Sequence, residues 1–239
     1  MSQLTGTLNA TGQSLYSSSA NPQHFLGEEI SSNDGRRFRY AKVGATALVP
    51  GKLYQNVAET TAIEDLTPAA AAIGDTTITI TSSVTLTANQ LAGGYAVITV
   101  TPGQGYQYKI KSNPAVTSAG VTITLEDPIN IALTTSSRVD LIPSQYASIV
   151  VNPTSATGSV VGAAVYPVAA GEYGWIQVSG PCALLADGAI TVGTNVIASN
   201  AVAGAVEPGA DAADLQAYVG SAITGIADTQ YGLINLHLA

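Results

Sequence analysis

Two histidines, one cysteine and a few clustered carboxylates are the groups from which this chain could build a reactive centre. A Ser-His-acid hydrolase needs an imidazole held between a nucleophile and a carboxylate. His24 lies in a polar stretch and His237 lies near the end of the sequence; neither accompanies a Gly-x-Ser-x-Gly elbow, which is absent. Cys182 follows Gly180-Pro181 in an apolar run and reads as a buried, inert thiol. The pairs Glu28-Glu29, Glu64-Asp65 and Glu126-Asp127 are adjacent in sequence, so on a strand their side chains leave on opposite faces and do not converge. Glu207, Asp211 and Asp214 offer oxygen ligands but fit no calcium-loop spacing, and helix capping accounts for the two aspartates. Gly103-Gln104-Gly105 lacks the third glycine and the following helix of a dinucleotide loop and reads as a turn. The expectation is a protein that is not an enzyme, with no catalytic, cofactor-binding or metal-binding residue to name.

Composition narrows the classes further. Charged residues are 10% of the 239, against about 25% in ordinary soluble domains, while hydrophobic residues reach 46%. A single Cys allows neither an intramolecular disulfide nor a Cys-based zinc site. The net charge of -8 opposes sequence-independent nucleic-acid binding, which needs a basic face. Every Lys and Arg lies at or before Arg138, and Val139 to Ala239 contains acidic residues alone. Arg36, Arg37, Arg39 and Lys42 crowd together with Lys52 close behind. This cluster is either a solvated strand face or a docking surface for an acidic partner. No basic-then-apolar leader opens the chain, and no apolar run approaches the roughly 18 residues of a spanning helix, so neither export nor membrane insertion is expected.

The elements that would carry these residues are mostly strands. Residues 1–25 are Ser, Thr, Asn, Gln and Gly without sustained periodicity, and predict an extended arm with no core of its own, leaving 26–239 as the body. Asn33-Asp34-Gly35 is a turn, after which Arg36 to Val43 alternates, with Phe38 and Tyr40 on one face and Arg37 and Arg39 on the other. Thr60 to Ile73 is the best helical stretch of the first half. Alternating segments follow at Thr76–Thr87, Tyr95–Thr101, Tyr106–Lys111, Val121–Leu125 and Arg138–Ile142, then at Ala147–Val151, Ser159–Tyr166, Gly174–Ser179, Ala189–Ser199, Val219–Ile226 and Leu233–Leu238. Trp175 should anchor a local core. Asp211 to Asp214 predicts a short capped helix running to Val219. A faint echo between the segments after Gly44 and Gly188 would pair 35–57 with 160–200 and leave 75–143 as an inserted β subdomain. Short strands punctuated by Gly and Pro predict a mainly β, antiparallel, sandwich- or barrel-like body with short helices.

Several segments carry a resemblance. Leu26-Gly27-Glu28, Asn33 through Ala45 and Leu48-Val49-Pro50-Gly51-Lys52-Leu53 resemble the opening of structural proteins encoded in head-gene modules of tailed bacteriophages. Ala92-Gly93-Gly94-Tyr95, Gly105-Tyr106, Tyr108-Lys109-Ile110 and Tyr173-Gly174-Trp175-Ile176-Gln177 are similar to them as well. The resemblance implies a capsid decoration (cement) protein or related minor virion component, bound to the major capsid protein on the outside of the shell after assembly in the host cytoplasm. It implies no catalytic residue and no cofactor. A head-fibre, tail or receptor-binding β protein is the alternative reading, and a polysaccharide depolymerase a remote one. The low charge also predicts a homo-oligomer, a trimer favoured and a dimer allowed, through the Val139–Ala239 half. Arg36, Arg37, Arg39 and Lys42 are the candidate capsid-interface residues.

Overall fold

A computed structural model describes residues 13–209 and 216–238. The chain is mainly β and antiparallel, and it divides into two compact units, one of residues 59–144 and one of the segments on either side. The expected subdomain at 75–143 lies within the first of these; residues 59–74 belong to it as well.

With strands numbered along the chain, the unit of 59–144 holds β4 (Thr77–Leu86), β5 (Tyr95–Val100), β6 (Gln107–Ser112), β7 (Val116–Leu125) and β8 (Arg138–Ile142), paired in the order β4-β7-β6-β5-β8. Their alternation explains their placement. Ile78, Ile80, Val84 and Leu86 of β4 turn inward, while Thr77, Thr79 and Thr81 face out, and Thr79 and Thr122 share a 3.0 Å hydroxyl hydrogen bond. Residues 66–71 join the two edge strands: Leu66 pairs with Val139 of β8, and Pro68 pairs with Ile80 of β4. The ring so closed surrounds Ile78, Ile98, Ile110, Ile123 and Val139, all fully buried.

This closure overturns the helix expected over Thr60–Ile73. Only Thr61–Ile63 is helical, a single 3-10 turn capped by Thr60. Asp65 then takes a left-handed conformation with φ 48, and the amides of Leu66, Ala69 and Ala71 donate to Val139, Thr79 and Leu133. Pro68 has no amide to give a helix. The open edges of β4 and β8 gain backbone partners from this segment, and tertiary context prevails over alanine propensity.

The other unit holds β1 (Glu29–Ser31), β2 (Arg37–Lys42), β3 (Leu53–Gln55), β9 (Val150–Val151), β10 (Val160–Ala164), β11 (Tyr173–Leu185), β12 (Asn195–Ala198), β13 (Val206–Pro208), β14 (Tyr218–Ala222) and β15 (Tyr231–His237). The thirteen-residue β11 is shared by two rings. Its first half lies between β2 and β10; β10 pairs with β3, β3 with β9, and Ile149 returns to Val43 beside β2. Val43, Leu48, Tyr54, Ile149 and Ile176 fill that ring. Past the register shift between Gln177 and Ser179, β11 pairs with β15, then β14, β12 and β13, and Ala186 bridges back to Val206. Leu184, Val196, Val206, Val219, Ile234 and Leu236 fill the second ring. Residues 35–57 and 160–200 contribute the neighbouring strands β2, β3, β10 and β11.

Two further expectations are corrected. A helix running to Val219 is excluded at its end, because Tyr218–Ala222 is a strand paired with β12 and β15; its opening residues Asp211 and Asp214 lie outside the described residues. The arm expected over 1–25 is part of a core from residue 13 onward: Leu15 is 6% exposed and packs with Phe38, Tyr40 and Trp175. Residues 1–12 lie outside the described residues. The amides of Ser19 and Gly27 donate to the Tyr173 and Tyr40 carbonyls. Hydrogen exchange at these two amides should therefore be slow in the free protein, at the level of β2; exchange at the rate of an unfolded peptide would restore the loose arm. Among the described residues no helix is long and apolar enough to cross a membrane.

Candidate interaction surface

Phe38 and Tyr40 of β2 and Trp175 of β11 project from the face opposite Val43 and Ile176, and need a cover. Residues 13–28 provide it with polar groups placed at the aromatic edges. The Tyr40 hydroxyl donates to Gln13 Oε1 at 2.6 Å and accepts from the Gln23 amide at 3.1 Å. The Trp175 indole donates to the Gln13 carbonyl at 3.2 Å, and Gln13 Nε2 donates to the Tyr173 carbonyl at 2.9 Å. The Tyr40 hydroxyl and the Trp175 indole N–H are thereby paired, as burial demands. Burial raises the Tyr40 pKa, against the hydrogen bond from Gln23.

His24 inserts between the rings, 5.1 Å from Tyr40 and 5.0 Å from Trp175, with its side chain 7% exposed. Its Nδ1 meets Glu28 Oε1 at 3.0 Å. The Nε2 atom is buried without a hydrogen-bond partner, so among the described residues no hydroxyl or thiol nucleophile stands where a triad would need one. His237 instead contacts the Tyr218 hydroxyl at 3.2 Å and Asn235 at 3.0 Å. Cys182 is buried, and desolvation pushes its thiol up to about 12, with a smaller opposing pull from Arg36. The native protein should leave a thiol reagent unreacted at about pH 8 and consume it only after denaturation; fast native labelling would contradict the burial. The sign for stability follows. From pH 9 to about 12 the unfolded chain ionises this thiol and the native chain does not, so its contribution is intact below 9 and declines as pH rises through that window. Among the described residues, no group of three or more His, Cys, Asp or Glu is placed to hold a metal ion.

The basic cluster sits on and beside β2, and the fold brings its members together with carboxylates the sequence reading had left apart. Arg36 Nε lies 2.7 Å from Asp34 Oδ2, and its guanidinium stands 5.5 Å from the Phe38 ring centre. Burial opposes the Arg36 charge, but hydrogen bonds to Tyr16 and Asp34 outweigh it and raise its pKa. Burial likewise opposes the Asp34 charge, and hydrogen bonds from Ser32 and Arg36 hold its carboxyl below the usual range. Arg39 meets Glu29 at 2.6 Å and donates to the Gly27 carbonyl at 2.8 Å, while Arg37 reaches Glu29 at 3.9 Å. Lys42 Nζ lies 5.6 Å from the Tyr173 ring centre.

Alternation puts Arg36 and Lys42 on the Phe38 and Tyr40 side of β2 and Arg37 and Arg39 on the other, so Asp34 attenuates the field on one side and Glu29 on the other. Each guanidinium carries five donors, so contact-range hydrogen bonding remains. The covering segment adds Phe25, 86% exposed, and Tyr16, 52% exposed. Exposed aromatics beside arginines are the side chains enriched at protein contact cores. Sequence reasoning missed both because they lie in a polar, aperiodic stretch; the available signal was an isolated aromatic among Ser, Asn and Gln.

The sequence matches no protein-family model and no curated protein, and no solved structure matches the fold.

Proposed function

We propose that the protein is a virion structural protein that binds the outside of a tailed-phage capsid shell and stabilises it, as a decoration or cement protein. The observation that carries this reading is the rim of β2, where the half-exposed Tyr16 hydrogen-bonds Arg36 and the exposed Phe25 lies two residues before Gly27, whose carbonyl takes the Arg39 guanidinium. The resemblance of residues 26–56 and 173–177 to phage head-module proteins supports it, and the paired rings supply a rigid mount. The major capsid protein is the partner, met through an acidic patch by Arg36, Arg37, Arg39 and Lys42 and through an apolar pocket by Phe25.

Two variants with opposite charge changes test the docking surface on isolated shells. Replacing Arg36, Arg37 and Arg39 with Gln should slow association about three- to tenfold at low salt and much less at high salt. Glu29→Gln, which removes the negative charge beside Arg39 and Arg37, should speed it under the same conditions. Equal rates for all three proteins would return the cluster to a solvated strand face.

A further inference from the structure

The outward face where β11, β15 and β14 run side by side carries no Asp, Glu, Lys or Arg; apolar side chains fill one end of it, and Ser221, Asn235 and His237 the other. Inward residues Cys182, Leu184, Ile234 and Leu236 belong to the core, so Pro181, Ala183, Leu185, Tyr231 and Leu233 point the other way. Register places Ala183 opposite Leu233 and Leu185 opposite Tyr231. Ile223, just past β14, donates its amide to the Leu233 carbonyl and extends the row. Tyr231 is 55% exposed, Ile223 40% and Leu233 36%. None of the three strands contains Asp, Glu, Lys or Arg.

We propose that this face is a self-pairing surface on which two copies of the chain stack about a two-fold axis. Charge selects the occupant. Each copy carries a net charge of -8, so most approaches between copies bring carboxylates together, and this face is one where none meet. A partner with a charged contact surface would bury its charges here unpaired, at a cost of several kcal/mol each. A second copy presents the same uncharged strands. A flat patch facing itself closes as a dimer, because a two-fold contact is isologous, whereas a trimer needs two different patches. Three strands about 4.8 Å apart and about five residues long make a patch of roughly 14 by 17 Å. That is well below the ~800 Å² per partner of a standard stable interface, so the pairing is weak in free solution. Crowding on a shell or at high concentration populates it.

Sedimentation equilibrium of the full chain tests this without any capsid, so its failure and that of the docking reading are separable. Across about 5 to about 500 µM the average mass should climb from 24.1 kDa toward twice that value. Added salt should strengthen the pairing, because it screens repulsion between acidic copies and breaks no ion pair in the contact. Leu233→Lys lowers the net negative charge yet sets like charges against each other across the axis, and should weaken pairing at least about tenfold. An unchanged melting curve for this exposed-site variant confirms an intact fold. A single 24.1 kDa species throughout, a trimer, weakening by salt, or full pairing in the Leu233→Lys protein would each overturn the proposal.

Discussion

Trp175→Ala should destabilise its unit by about 3–5 kcal/mol, the range for truncating a buried large aromatic. The indole is 1% exposed, packs against Tyr40 at 5.0 Å and His24 at 5.0 Å, and donates to the Gln13 carbonyl. Its removal therefore opens a cavity and leaves a buried carbonyl without its donor, two costs that add. The loss should appear first in the covering segment. Exchange at Ser19 and Gly27 should accelerate in the variant more than exchange at Val219 or Ile234, which lie in the ring beyond the β11 register shift. Equal acceleration at both places would mean that residues 13–28 are not held by the aromatic face.

Gly220→Ala and Gly94→Ala should each cost more than about 3 kcal/mol, because the added methyl meets backbone and not a side chain that can turn away. A Cβ at Gly220 would land on the Asn235 carbonyl oxygen of β15, and one at Gly94 on the Ile142 carbonyl oxygen of β8. Relief requires the strands themselves to part. The first change acts where β14 pairs with β15 and is read by the fluorescence of the lone tryptophan. The second acts beside the pairing of Tyr95 with Ile142 and is read by exchange at β5 and β8. Melting temperatures within a degree or two of the parent would contradict these close approaches.

Period-two alternation made most strands legible. Arg138–Ile142 was read with the bounds it has, and Tyr95–Thr101 and Tyr106–Lys111 to within a residue, because each buries one face and solvates the other. β11 was read as Gly174–Ser179 and runs to Leu185, since Gly180-Pro181 looks like a break in one dimension. Its pairing with β15 carries the strand through, with Pro181 opposite Asn235. The helix expected over 60–73 failed for a related reason: the open edges of β4 and β8 recruit that segment, and edges are properties of the assembled sheet. The site was half legible. Arg36, Arg37, Arg39 and Lys42 were visible as a basic run, and their attenuation by Glu29 and Asp34 was not, because the pairing of Glu29 with Arg39 across β1 and β2 sets it. Neither Gln13 nor His24 signals its burial in the sequence: Gln13 is held by Tyr40, Tyr173 and Trp175 of distant strands, and His24 lies between the Tyr40 and Trp175 rings.

Cryo-electron microscopy of virions that carry the protein decides whether it decorates the capsid. A decoration protein should give density for the paired rings on the outer surface of the shell, with Phe25 and the β2 arginines turned toward the coat protein. Density at the tail tip or on a projecting fibre, or none on the particle, would contradict that role.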